Sequence, residues 1–104
     1  MVEIIVEEIY WTDSAKLSFD KIVEYLKQNW TEKEIEKFIK RTSEVLSTLK
    51  RYPQMCRPSL KKKNVRIAIL NKHTQMIYHY KPGKNKIEVL LFWGMKQDPL
   101  KFRY

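Results

Sequence analysis

The sequence contains little cysteine and glycine, and it has no long apolar run. Cys56 is the only cysteine among 104 residues, so no internal disulfide can form and a disulfide-stapled secreted scaffold is excluded. No segment approaches the roughly 20 apolar residues of a membrane-spanning helix, and residues 1–10 lack the basic start and apolar stretch of a secretory signal. We therefore expect a protein of the cytoplasm.

Residue patterns that bind metals and cofactors are also missing. Gly83 and Gly94 are isolated, which excludes a glycine-rich phosphate-binding loop. His73 and His79 have no cysteine or acidic partner at a spacing typical of metal ligands, so we interpret both histidines as structural or exposed. The sequence therefore predicts no metal and no cofactor.

Acidic residues are nearly absent from the second half of the chain. Residues 53–104 contain twelve Lys or Arg but only Glu88 and Asp98, a balance of +10, whereas residues 1–52 contain nine basic and ten acidic residues, a balance of −1. Positive charge collected in one stretch favours a polyanionic partner, either a nucleic acid or an acidic protein. The alternative, a soluble protein that is basic for no functional reason, predicts scattered charge.

Periodicity in the first part of the chain predicts a strand followed by a helix. Val2, Ile4 and Val6 alternate with other residues, which indicates a short strand. Residues 11–14 supply capping side chains, and the helix that follows them is predicted to end near Trp30. Its apolar positions, three or four residues apart, are Ala15, Phe19, Ile22 and Leu26.

A second helix is predicted directly after the first. Thr31 and Glu34 match a capping box, in which each side chain accepts a hydrogen bond from the main-chain amide of the other residue. Pro53 ends the helix. Its apolar stripe consists of Ile35, Phe38, Ile39, Thr42, Val45, Leu46 and Leu49. Two helices joined by so short a turn form an antiparallel pair that needs a broad apolar surface to cover.

Three strands are predicted in the second half, at residues 65–70, 75–80 and 87–93, and residues 57–62 are a candidate for a fourth. Arg66 in the first of these strands is predicted to face away from the helices, because the valine and isoleucines beside it form the apolar side. The last strand is apolar almost throughout, as expected for a strand inside the sheet.

The order of these elements predicts the fold class. We expect an α+β protein with an N-terminal strand, an antiparallel two-helix hairpin, and then a three- to four-stranded antiparallel sheet. The helical pair should pack on one face of that sheet. The length of the chain fits one domain, residues 1–104.

Four segments carry a family resemblance: residues 49–53, 65–70, 76–80 and 90–99. In this order, and with basic charge concentrated in the sheet, they resemble the RelE/ParE superfamily of bacterial type II toxins over essentially the whole chain. The resemblance implies a growth-inhibiting toxin that a cognate acidic antitoxin neutralises, with a dimer or a hetero-oligomer with the antitoxin as expected assemblies. Some members of the superfamily cleave messenger RNA on the ribosome, and others poison DNA gyrase.

The resemblance also assigns candidate catalytic residues. Arg66 and Lys96 match basic positions of the metal-independent ribonuclease branch, and Tyr104 is the candidate for its C-terminal tyrosine. The sequence departs from that branch at three positions, which are Ala68, Gln75 and Phe102. These departures count against ribonuclease action, and the closing residues 96–99 resemble the ParE side of the superfamily, which favours a ParE-like toxin with gyrase as target. The alternatives are a ribosome-dependent mRNA endoribonuclease and a non-toxic basic nucleic-acid-binding module.

Further residues are predicted to bind a nucleic acid or the antitoxin. The full set is Lys61, Lys62, Lys63, Arg66, Tyr78, Tyr80 and Lys96. We expect Arg66, the lysine run and Lys96 to meet on the sheet face opposite the helices. The lysine run has an alternative role as solvated charge that prevents aggregation. The two tyrosines either contact the partner or lie buried beneath the helices.

Overall fold

The computed structural model describes residues 8–94, and its elements follow the predicted order. They are β1 (Glu8–Trp11), α1 (Asp13–Asn29), α2 (Glu32–Arg51), β2 (Arg57–Pro58), β3 (Val65–Ile69), β4 (Thr74–Lys81), a 3-10 helix (Pro82–Lys84) and β5 (Lys86–Gly94). The predicted α+β fold class and the helical pair are confirmed. The strand predicted at residues 2–6 lies outside the described residues.

Five strands form one mixed sheet in the order β1-β5-β4-β3-β2. Strands β2 to β5 pair antiparallel, as predicted, and the short β2 is the expected fourth strand. Strand β1 adds a parallel edge, with Glu8 opposite Lys86 and Trp11 opposite Val89. Strand β5 therefore lies between two neighbours, which agrees with its nearly continuous apolar sequence.

The two helices begin differently. Thr12 caps α1, because its hydroxyl accepts a hydrogen bond from the amide of Ala15 at 3.0 Å. Thr31 occupies the same position before α2, but its side chain makes no capping bond. The predicted capping box is therefore wrong. The amide of Glu34 donates to the main-chain oxygen of Thr31 at 3.0 Å, and the Glu34 carboxylate lies 3.7 Å from the ammonium group of Lys37.

An apolar core fills the space between the helices and the sheet. Four aromatic rings form its centre, with contacting ring centroids 5.0 to 6.5 Å apart. These rings belong to Trp11, Phe19, Phe38 and Phe92. Phe38 and Phe92 are buried, and the other buried members of this core are Ala15, Val45, Leu49, Ala68, Leu70, Met76, Tyr78, Tyr80, Ile87 and Val89.

The sheet face opposite the helices is also apolar. Its members are Val65, Ile67 and Ile77, which are buried, and Leu90, Leu91 and Trp93, which are partly buried. The predicted orientation of β3 is therefore wrong, because Val65 and Ile67 lie on this face and Ala68 lies in the helix-side core. Arg66 is also on the helix side, since it pairs directly with Tyr78 of that core. Alternation shows which residues share a face, but with two apolar faces it does not show which face the helices cover.

A bulge in β5 joins the sheet to the start of α1. The pairing of β4 with β5 shifts between Ile77 and Tyr78, which leaves Leu90 as an extra residue. The hydroxyl of Thr12 lies 3.1 Å from the main-chain oxygen of Val89 and 3.0 Å from that of Leu90. The side chain that caps α1 therefore also donates to the bulged strand.

Candidate functional site

Arg66, the predicted catalytic residue that the structure describes, is half-buried on the helix side of β3. Its Nη1 donates a hydrogen bond to the main-chain oxygen of Cys56 at 2.7 Å. This bond joins β3 to the loop between α2 and β2. Lys96 and Tyr104, the other members of the predicted catalytic set, lie outside the described residues, so the catalytic role of the set stays a prediction.

The two tyrosines of β4 are core residues. Tyr78 is 0% exposed and Tyr80 is 3% exposed, both in the core beneath the helices. The hydroxyl of Tyr78 donates to the main-chain oxygen of Pro53 at 2.9 Å, and burial raises the pKa of the Tyr78 phenol. The prediction that these rings contact a partner is therefore wrong, and the alternative prediction of burial is confirmed.

The lysine run lies at one end of the sheet, where further lysines join it. Val65 at the start of β3 pairs with His79, and Lys81 at the end of β4 pairs with Lys86. The β2–β3 loop and the β4–β5 turn therefore lie side by side. We call this region the lysine end; its lysines are Lys61, Lys62, Lys63, Lys81, Lys84 and Lys86. The last three were missed in the sequence, because only the register of the strands brings them to the run.

Two carboxylates partly neutralise the lysine end. Glu8 lies 3.3 Å from the ammonium group of Lys86, and Glu88 lies 3.9 Å from that of Lys81. The Nζ of Lys81 is also 2.9 Å from the hydroxyl of Tyr10. This hydrogen bond, with a smaller contribution from Glu88, raises the pKa of Lys81 and favours its charged form. Counted over residues 8–94 alone, the six lysines and these two carboxylates give a balance of +4.

A groove of about 400 Å³ opens between β1, α1 and α2. Ile9 and Trp11 line it from β1, and Ile39 and Leu46 line it from α2. Its polar groups come from α2 and include Ser43, Ser47 and Lys50. Because Ile39 belongs to the apolar stripe of the helix, its spacing predicted a core residue. In the structure its side chain is 47% exposed. The groove was therefore not visible in the sequence.

Among residues 8–94, no helix is long and apolar enough to cross a membrane. The same residues contain no group of three His, Cys, Asp or Glu side chains placed to hold a metal ion.

The fold is similar to that of toxins in solved toxin-antitoxin systems. A chain of the chromosomal ParDE system from P. aeruginosa has a TM-score of 0.69 at 16% identity, covering 88% of this chain and 98% of that chain. A metal-bound toxin from Helicobacter pylori has a TM-score of 0.61 at 15% identity, with coverages of 85% and 93%. A chain of the RelBE2 toxin-antitoxin complex from Mycobacterium tuberculosis has a TM-score of 0.55 at 13% identity, with coverages of 93% and 97%. At such identities the similarity shows the fold alone.

The sequence itself also matches a family. Curated proteins give no significant match to this chain. The family described as the ParE toxin of the type II toxin-antitoxin system parDE matches residues 9–99. This match spans both helices and the strands on either side of them. The chain therefore belongs to the ParE toxin family of type II toxin-antitoxin systems.

Proposed function

We propose that this chain is a growth-inhibiting bacterial toxin that acts in the cytoplasm and that its target is DNA gyrase. The match to the ParE toxin family over residues 9–99 is the observation that carries this proposal. The net charge of +9 supports it, because a basic protein is attracted to an enzyme that works on DNA. The basic charge by itself would fit a ribosome equally well, so the choice of gyrase rests on the family.

A cognate acidic antitoxin is the proposed partner, and the groove between β1 and α2 is its proposed binding site. Trp11 and Leu46 offer apolar surface there, and Lys50 offers a charge that attracts a carboxylate. Among the strands of residues 8–94, β1 is at the edge of the sheet, so the outer main-chain groups of its residues can pair with an extended segment. An antitoxin segment with apolar side chains and carboxylates fits these features.

An mRNA endoribonuclease has less support from the described residues. Metal-independent cleavage needs cationic groups and proton donors that reach the scissile phosphate together. Arg66 instead donates to the main-chain oxygen of Cys56, and Ala68 is buried in the helix-side core. By the family resemblance, Gln75 stands where the ribonuclease branch has an arginine. These features favour gyrase over messenger RNA as the target.

Growth assays test the toxin proposal. Bacteria that express the chain alone should stop growing, and bacteria that also express the adjacent reading frame should grow normally. Purified chain should inhibit supercoiling by gyrase and should leave messenger RNA intact on translating ribosomes. Normal growth in both inductions would contradict the toxin proposal. Cut messages together with undisturbed supercoiling would contradict gyrase as the target.

A further inference from the structure

The lysine end gathers charge from three separate segments. Lys61–63 belong to the β2–β3 loop, Lys84 lies in the 3-10 helix, and Lys81 and Lys86 flank that turn. The loop lysines and Lys84 are exposed, and the other two are partly exposed. Lys61–63 are consecutive in the sequence, whereas Lys81, Lys84 and Lys86 come from another hairpin and are brought to them by the pairing of the strands.

The β2–β3 loop holds its lysines in a defined arrangement. The amide of Ser59 donates to the main-chain oxygen of Val65 at 2.7 Å, which closes the loop. The amide of Lys61 donates to the hydroxyl of Ser59 at 3.1 Å. Asn64 adopts a left-handed backbone with φ of 61°, a conformation that asparagine tolerates well. A backbone ordered in this way lowers the entropy that binding would otherwise cost.

The side chains at this end favour a duplex over other polyanions. Proteins that bind single strands use exposed aromatic rings as stacking platforms. Tyr78 and Tyr80 are buried, and the hydroxyl of Tyr10 is hydrogen-bonded to Lys81. An acidic protein partner would need apolar anchors at the centre of the interface, and in this loop the exposed apolar side chain is Leu60. Lysines act as separate point charges, which suits the phosphates of a duplex.

The spacing of the lysine end also fits a duplex. Strands β3 and β5 are separated by β4, so their ends are about 10 Å apart at roughly 4.8 Å per strand. This distance is close to the width of the major groove, about 12 Å. The loop before β3 and the turn before β5 can therefore contact phosphates on both sides of one groove.

We propose that the lysine end binds the phosphate backbone of duplex DNA without reading its base sequence. This goes beyond the proposed function, because inhibition of gyrase does not require the toxin itself to contact DNA. A toxin that holds DNA would be concentrated where gyrase acts. An unmodified chain that inhibits purified gyrase but does not bind duplex DNA would contradict this inference alone, which separates its failure from that of the proposed function.

A matched pair of triple variants tests the proposal. The test variant is Lys61→Gln, Lys62→Gln and Lys84→Gln. The control variant is Lys27→Gln, Lys33→Gln and Lys40→Gln, which removes the same charge from exposed helix positions. The control positions lie far from the lysine end, because Nε of Arg41 bonds to the main-chain oxygen of Leu70 at 3.2 Å, beyond the opposite end of β3.

Binding of the full chain to a short DNA duplex is measured by fluorescence anisotropy between about 50 and 200 mM salt. For the unmodified chain, the logarithm of the binding constant should fall linearly with the logarithm of salt concentration, by about 0.9 for each phosphate contact. The test variant should lower this slope by about 2 to 3, since it removes three contacts. The control variant should keep the slope. Circular dichroism confirms that both variants melt as the unmodified chain does.

Several results would overturn the proposal. Equal losses in both triple variants would mean that net charge alone attracts DNA. Tighter binding of the matching single strand, or displacement of the duplex by poly-glutamate at lower concentration than by unlabelled duplex, would assign the surface to another class of partner. A loss of binding on Leu60→Ala that exceeds the loss in the test variant would show apolar docking instead of phosphate contacts. Leu60→Ala should otherwise leave the salt slope unchanged.

Discussion

Nη1 of Arg66 donates a hydrogen bond to the main-chain oxygen of Cys56 across 2.7 Å, so the arginine ties β3 to the loop after α2. A hydrogen bond from a charged donor contributes roughly 1.5–3 kcal/mol, and partial exposure reduces that value. We expect Arg66→Ala to lower the free energy of unfolding by about 1 to 2 kcal/mol, measured by urea denaturation.

The control for this variant is Arg57→Ala, which changes an exposed arginine on the adjacent strand β2. It should change the free energy of unfolding by less than about 0.5 kcal/mol. Full stability of the Arg66→Ala variant together with lost toxicity would show that Arg66 acts on the target and not on the fold.

Thr12 and Thr31 provide a matched comparison of two helix caps. Both threonines precede a helix, but only the hydroxyl of Thr12 accepts the capping bond and reaches the bulged strand β5. Thr12→Ala should therefore lower the free energy of unfolding by about 1 to 2 kcal/mol, and Thr31→Ala by less than about 0.5 kcal/mol. Denaturant titrations of both variants make the comparison. Equal costs would mean that the additional bonds of Thr12 contribute nothing measurable.

The buried hydroxyl of Tyr78 is predicted to matter for stability. Tyr78→Phe removes the donor to the main-chain oxygen of Pro53 and leaves a buried acceptor without it. We expect the free energy of unfolding to fall by about 1 to 2 kcal/mol at neutral pH. Tyr25→Phe is the control, because Tyr25 is 49% exposed and should tolerate the change. An unchanged midpoint for Tyr78→Phe would contradict the prediction.

The same tyrosine should make stability depend on pH. Burial raises the pKa of Tyr78 in the folded chain above its unfolded value of about 10. The unfolded state therefore loses this proton first as pH rises, and the stabilisation from the neutral phenol is complete below about pH 10 and declines above it. Unfolding followed from pH 8 to about 11 should show a shallower decline for Tyr78→Phe than for the unmodified chain. Tyr25→Phe should follow the unmodified chain, and parallel curves for all three proteins would refute this dependence.

The groove is expected to separate neutralisation from toxicity. Ile39 is 47% exposed and lines the groove, so Ile39→Asp should keep the fold while it repels an acidic antitoxin. The dissociation constant for the antitoxin should rise at least about tenfold, equivalent to about 1.4 kcal/mol, by calorimetry. Leu17→Asp, at a 63% exposed position on α1, is the control and should bind normally. Unchanged antitoxin binding by Ile39→Asp would place the antitoxin elsewhere.

Local patterns predicted the elements well and their orientations less well. The capping residue Thr12 and the breaker Pro53 marked the ends of the helical pair, because capping and proline geometry act within a few residues. The capping box at Thr31 failed, because the amide of Glu34 bonds to the main-chain oxygen of Thr31 and not to its hydroxyl. A pattern of side chains therefore predicts an available bond but not which competing bond forms.

The orientation of β3 is the part of the site that the sequence did not predict correctly. The alternation in this strand separated Arg66 from Val65 and Ile67 correctly, and only the choice of the covered face was wrong. Both faces of the sheet are apolar, so the pattern of apolar residues does not show which face the helices cover. Arg66, the predicted site residue on β3, was consequently assigned to the wrong side, and the groove beside Ile39 was not foreseen.

The sequence by itself determined the order of the elements, the ends of the helices and the concentration of positive charge in residues 53–104. Only the tertiary structure decided that Arg66 turns toward the helices and that Lys61–63 join Lys81, Lys84 and Lys86. The physical reason is the separation along the chain between the residues that interact. Periodicity, caps and breakers act between residues a few positions apart, whereas these placements depend on strand register and packing between residues that are distant in the chain.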